Sequence, residues 1–140
     1  MTKKLGTHNS KIMALKSQVL GKYVIARAWE YANSNDYKVR HVSLVDNPVM
    51  VSRSAKTARK LLDLIPEHVR ELVADEETEL HRALRDLDRA IASGDRYVDY
   101  HRSQIKRSEE RLHMLKALLA HPIDIVEVTS TTTVTESVVP

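Results

Sequence analysis

Residues 69–119 read VRELVADEETELHRALRDLDRAIASGDRYVDYHRSQIKRSEERLHMLKALL, and the spacing of their leucines decides the fold. From Val69 the apolar positions Val73, Leu80, Leu84, Leu87 and Ile91 keep nearly a seven-residue rhythm, and Glu76 occupies the one slot that breaks it. After Gly94 the rhythm resumes through Val98, Ile105, Leu112, Leu115 and Leu119. Residues so spaced fall on one side of a helix and make a coiled-coil seam. A glycine past a helix end readily takes the left-handed conformation that stops it, and Asp95 is placed to cap the next helix. The stretch therefore predicts an antiparallel helical hairpin over residues 66–121, with arms of roughly 40 Å at the usual helical rise. Acids at Glu67, Glu71, Asp95 and Asp99 near the two helix starts, and Lys116 near the second end, favour the helix dipoles.

Folding about Gly94 sets Ile91 near Val98, Leu84 near Ile105, and Val73 near Leu115 or Lys116. The same register gathers Glu76, Glu77 and His81 opposite Glu110 and His113. The Glu-x-x-His spacing of Glu110 and His113 is that of carboxylate-bridged metal bundles, but a second such motif is absent. A polar layer that fixes helix register is the expectation, with no metal and no cofactor.

Upstream of the hairpin, residues 1–8 read as a polar arm. Asn9 or Ser10 caps a predicted helix over residues 11–33, in which Ile12, Leu15, Val19, Tyr23 and Ala26 recur at spacings of three or four. Leu20, Val24, Ala28 and Tyr31 widen that face. Asn33, Ser34, Asn35 and Asp36 break it, and β-branched runs over residues 37–45 and 49–51, joined by Asp46, Asn47 and Pro48, predict a small β-hairpin. Ser54 caps a short helix with Ala58, Leu61, Leu62 and Ile65 on one face, and Pro66 marks a bend or restart. Beyond Pro122, residues 123–128 read as a strand and the Thr-rich remainder as an extension with nothing in the chain obvious to pair with it except the small hairpin over residues 37–51. The expected architecture is mainly α: a coiled-coil-like hairpin packed with an N-terminal helix, a small β-hairpin and a C-terminal β-strand arm. The chain divides into three regions, a basic region over 1–65, the hairpin over 66–121 and the tail over 122–140.

Composition narrows the function classes. With 42% apolar residues the chain has material for a core, and with no cysteine it has no disulfide, thiolate metal site or cysteine nucleophile. Its three glycines, Gly6, Gly21 and Gly94, lie too far apart for a phosphate-cradling loop. No apolar run reaches membrane-spanning or signal-peptide length, so a cytoplasmic protein, or one incorporated in a virion, is expected. The net charge of +3 conceals an asymmetry: residues 1–60 hold 12 Lys or Arg against 3 acids, residues 61–121 hold 10 against 13, and residues 122–140 hold 3 acids and no base.

That basic block makes Lys11, Lys16, Lys22, Arg27, Lys38, Arg40, Arg53, Lys56, Arg59 and Lys60 the candidates for meeting nucleic acid or an acidic partner, with Lys3 and Lys4 on the arm and Tyr37 and His41 placed to stack. No zinc-finger, RNP or helix-turn-helix pattern accompanies them. No Ser, His and Asp set is legible either, and no enzyme activity is expected. In organisation, a basic N-terminal region, a central helical hairpin and a C-terminal β segment, the chain resembles bacteriophage small terminase subunits. That resemblance implies rings built by hairpins and a barrel built by C-terminal strands. The function expected is a non-enzymatic assembly protein: the hairpin self-associates into a homo-oligomer and the tail adds a strand to a protein partner, as in a phage virion or DNA-packaging component. The alternative is a small DNA-binding or host-machinery-binding regulator acting through residues 1–60.

Overall fold

The computed structural model of the chain describes residues 2–30 and 37–137, with side chains described over 11–30 and 37–129. Its six elements are, in chain order, β1 (Thr2–Ser17), β2 (Lys22–Trp29), β3 (Lys38–Val45), α1 (Ala55–Ser93), α2 (Val98–Ala120) and β4 (Ile123–Ser137). The strands form one antiparallel sheet in the order β3-β2-β1-β4.

The molecule is thus mixed α/β, with two helices and a four-stranded sheet, and not mainly α. The correction lies at the N-terminus. The expected helix over residues 11–33 is two strands joined by a turn in which Gly21 sits at φ 63, the left-handed region that glycine enters without a Cβ penalty. Its apolar spacing misleads for a physical reason. Leu15, Val19 and Tyr23 stand four apart as on one helix face, but they fall in β1, in the turn and in β2, and the pairing of Leu15 with Val24 and of Lys16 with Tyr23 puts Leu15 and Tyr23 on opposite faces of the sheet. The finer pattern is strand-like, because Val24 and Ala26 are buried while Ile25 and Arg27 between and beyond them are not.

Residues 37–51 depart from the expected hairpin as well. β3 pairs with β2, with a bulge opposite Arg27 and Ala28, and residues 49–51 make no strand with it. Instead Val51 and Ser52 bond to Met13 of β1, through the Met13 amide to the Ser52 carbonyl at 2.8 Å and the Val51 amide to the Met13 carbonyl at 2.9 Å. The tail has its partner within the chain: β4 pairs along β1 from Ser17↔Ile123 to Thr2↔Ser137. Both ends of the chain therefore build one sheet, which departs from the separate basic and β segments on which the resemblance to small terminase subunits rests. The expected break over residues 33–36 lies outside the described residues, as do Tyr31 and residues 138–140.

The helical hairpin is present. α1 begins at Ala55, capped by Ser54, whose hydroxyl accepts from the Thr57 amide, and it runs through Pro66 without the expected restart. It ends on Gly94 at φ 68, with the Gly94 and Asp95 amides donating to the Ile91 and Ala90 carbonyls. The core joins helices to sheet: Leu61, Ile65 and Val69 of α1 and Leu115 and Leu118 of α2 meet Leu15, Val24, Ala26 and Val39. Each buried Leu, Ile or Val among them contributes about 1.5–3 kcal/mol by leaving water. Among the described residues no helix is long and apolar enough to cross a membrane.

Candidate functional site: the projecting arm and the basic residues

The sheet is covered by the first half of α1 and the end of α2, so the rest of the hairpin projects. The apolar residues of α1 that pack on the sheet core end at Val73. Beyond it some twenty residues of α1, about 30 Å, have only α2 beside them.

The seam of this arm is narrow. α1 buries Ala90 there, and α2 buries Ile105, Ser108 and Leu112. Small side chains let the helices close together, but they leave the larger ones at the flank. Leu84 is 40% exposed and Ile91 54%, while Leu80 and Leu87 are half-buried. Leu84 and Ile91 stand seven residues apart, so they occupy the same side of the helix. The leucine rhythm legible in the sequence is therefore only partly spent on α2. Tyr97 and Tyr100 add two exposed aromatic rings near the turn.

A polar clasp sets the register. The buried Ser108 hydroxyl donates to Glu76 at 2.6 Å, and Arg111 Nε lies 3.3 Å from the other oxygen of that carboxylate. Lys116 Nζ is 3.4 Å from Glu77. These contacts engage Glu76 and Glu77, the carboxylates considered as metal ligands, with Ser108, Arg111 and Lys116 instead of the expected Glu110 and His113. His81, Glu110 and His113 are exposed, and among the described residues no group of three or more His, Cys, Asp or Glu stands where it could hold a metal ion. An open groove of about 310 Å³ beside the clasp is lined by Glu76, Glu79, Arg82, Tyr100, His101 and Ser108 among others. Its Arg82 is already paired with Glu79 at 3.1 Å.

The ten basic candidates do not form one surface. Lys11 on β1 pairs with Glu127 of β4 at 3.1 Å, Lys22 pairs with Asp46, and Lys38 lies 3.5 Å from Glu67 of α1. Lys16 sits over the Tyr23 ring at 5.4 Å. Arg27 is exposed on β2, and Arg40 is half-buried at the β3 bulge. The structure does bring together Arg53, Lys56, Arg59 and Lys60, all exposed on the loop and first turns that open α1. Lys60 lies 4.5 Å over Tyr37, while Arg53, Lys56 and Arg59 have no carboxylate partner among the described residues. The first turn of α1 holds no acid, although acids favour that end of a helix. His41 is exposed on β3, paired opposite Arg27.

Two features escaped the sequence reading. The pairing of β1 with β4 joins segments more than a hundred residues apart, and only β4 carries the Ile, Val and Thr content of a strand, so nothing local marked β1 as its partner. The exposure of Leu84 and Ile91 turns on Ala90 and Ser108 being the seam residues, which a leucine pattern does not reveal. No protein-family model, characterised protein or solved structure matches the chain, so its function is argued from its own geometry.

Proposed function

We propose that this chain is a non-enzymatic assembly subunit whose helical arm binds the arm of another copy. The observation that carries the reading is the flank of α1, where Leu84 and Ile91 lie at heptad spacing and half in water on a segment that α2 alone accompanies. A two-helix arm has no third element to cover that flank, and heptad-spaced aliphatic residues are what a facing helix accepts as knobs. Burying the two side chains between copies would contribute about 1.5–3 kcal/mol each at complete burial, and less in proportion to the area already covered. Glu76 supports the same reading, since a polar residue within a seam fixes register at a cost in stability.

Leu84→Glu with Ile91→Glu tests this. Both positions are open to solvent, so the fold should persist by circular dichroism while the assembled mass falls. An unchanged mass would remove the arm from the interface. Association through the Thr-rich tail belongs to the same proposal, with the open edge of β4 in place of a free tail. The phage setting raised by organisation alone gains no support beyond this capacity to assemble.

The second reading, nucleic-acid binding, is favoured by one observation, the cluster of Arg53, Lys56, Arg59 and Lys60. It narrows the interface from ten residues to four. Duplex DNA titrated at several salt concentrations tests it, and affinity indifferent to salt would remove it.

A further inference from the structure

Strands β1 and β4 run together well past the rest of the sheet. β2 borders β1 only from Leu15 to Ser17, and Met13 is taken by Val51 and Ser52. From Ile12 to Thr2 and from Val128 to Ser137, about 30 Å at the usual strand rise, the two strands form a ribbon with no third strand on either side among the described residues. A two-stranded ribbon by itself is marginal in water.

The direction of its unpaired groups follows from the alternation of a strand. Met13 turns its amide and carbonyl away from β4, toward Val51 and Ser52, so Lys11, Asn9 and Thr7 turn theirs the same way, to an open edge. By the same alternation Glu127, Thr129, Thr131 and Thr133 of β4 turn theirs to the opposite open edge. The two edges differ in charge. β1 carries Lys3, Lys4, Lys11 and Lys16 with no acid, and β4 carries Asp124, Glu127 and Glu136 with no base. Between Glu127 and Glu136, β4 holds neither a charge nor a proline, the residues that usually guard an edge against pairing.

We propose that these edges pair between copies, the β4 edge of one chain receiving the β1 edge of the next, antiparallel and head to tail. This inference rests on the assembly reading and names a second contact for it. The charge pattern selects the occupant: β4 against β4 would set acidic strands side by side, whereas β4 against β1 repeats the basic-with-acidic pairing already present within the chain. A head-to-tail contact closes into a ring or continues as a filament.

The test uses the full chain carrying Leu84→Glu and Ile91→Glu, so that the arm is silent, and reads mass by light scattering. Thr131→Pro removes an outward amide of β4, and Asn9→Pro an outward amide of β1, while the bonds between β1 and β4 are kept. The arm-silenced chain should still associate, each proline variant alone should be monomeric, and an equimolar mixture should form a one-to-one complex, because one good edge of each kind remains. Thr133→Pro and Thr7→Pro serve as the second pair if circular dichroism shows that the first disturbs the fold.

A monomeric arm-silenced chain, made from a parent that is oligomeric, would overturn the edge pairing and leave the arm reading standing. Asn9→Pro associating as well as its parent would also overturn it, since β1 would then be dispensable. If the arm substitutions leave the parent's mass unchanged and the proline variants abolish association, the arm reading fails and the edge pairing stands.

Discussion

Gly94 shows how a single residue can be read without its surroundings. Its φ of 68 places a Cβ in an unfavourable region, yet no atom lies within 4 Å of where that Cβ would be. Gly94→Ala should therefore cost only backbone strain, about 1 kcal/mol, seen as a lowered midpoint in urea with the same assembled mass. A change of mass would mean that the turn does more than reverse the chain. Glu76 was legible as the odd member of a heptad, but its partners were not, since Ser108 and Arg111 are reached only through the pairing of two helices. Glu76→Ala strands the buried Ser108 hydroxyl and should cost about 1–2 kcal/mol, whereas Glu76→Leu with Ser108→Ala removes both polar partners and should be near neutral. Equal losses in the two variants would refute the clasp.

At the level of elements, some local signals were read correctly, while the restart at Pro66, the helix cap at Asn9 or Ser10 and the hairpin over residues 37–51 were not. Ser54, Gly94 and Pro122 each act on their own backbone, and the helix ends obey them. The first thirty residues hold no comparable stop before Gly21, and their spacing of three and four reads as a helix although it spans two strands and a turn. What makes β1 a strand is β4, and β4 lies beyond the whole helical hairpin in the chain. Local propensity is a weak prior that such tertiary pairing overrides. The same dependence yields a prediction. Deleting residues 123–137 should unfold β1 along with the tail and lower the stability of the whole chain, instead of leaving a folded body without an appendage. A truncated chain with unchanged thermal unfolding would contradict the β1–β4 ladder.

Across the whole molecule, the charge asymmetry that pointed outward from the sequence is largely met within the chain. The basic start and the acidic end lie in one sheet, where Lys11 meets Glu127, and where Lys16 and Lys3 stand opposite Asp124 and Glu136 in register. Four bases cluster around the start of α1, apart from Arg27 exposed on β2, and that cluster defines what a nucleic-acid reading must use. If duplex DNA binds there, affinity should fall with salt at a log–log slope of about −3.6 for four phosphates, and Lys56→Glu, Arg59→Glu and Lys60→Glu together should abolish it. Binding that survives those changes would place the site elsewhere.

The arm and the ribbon are the two parts of the molecule that extend beyond its core, and self-assembly is the role proposed for both. Light scattering on the purified full-length chain at tens of micromolar decides whether they have it. The expected mass is a multiple of 16.0 kDa that falls when Leu84 and Ile91 become Glu. A stable mass of 16.0 kDa across the concentration range would contradict self-assembly.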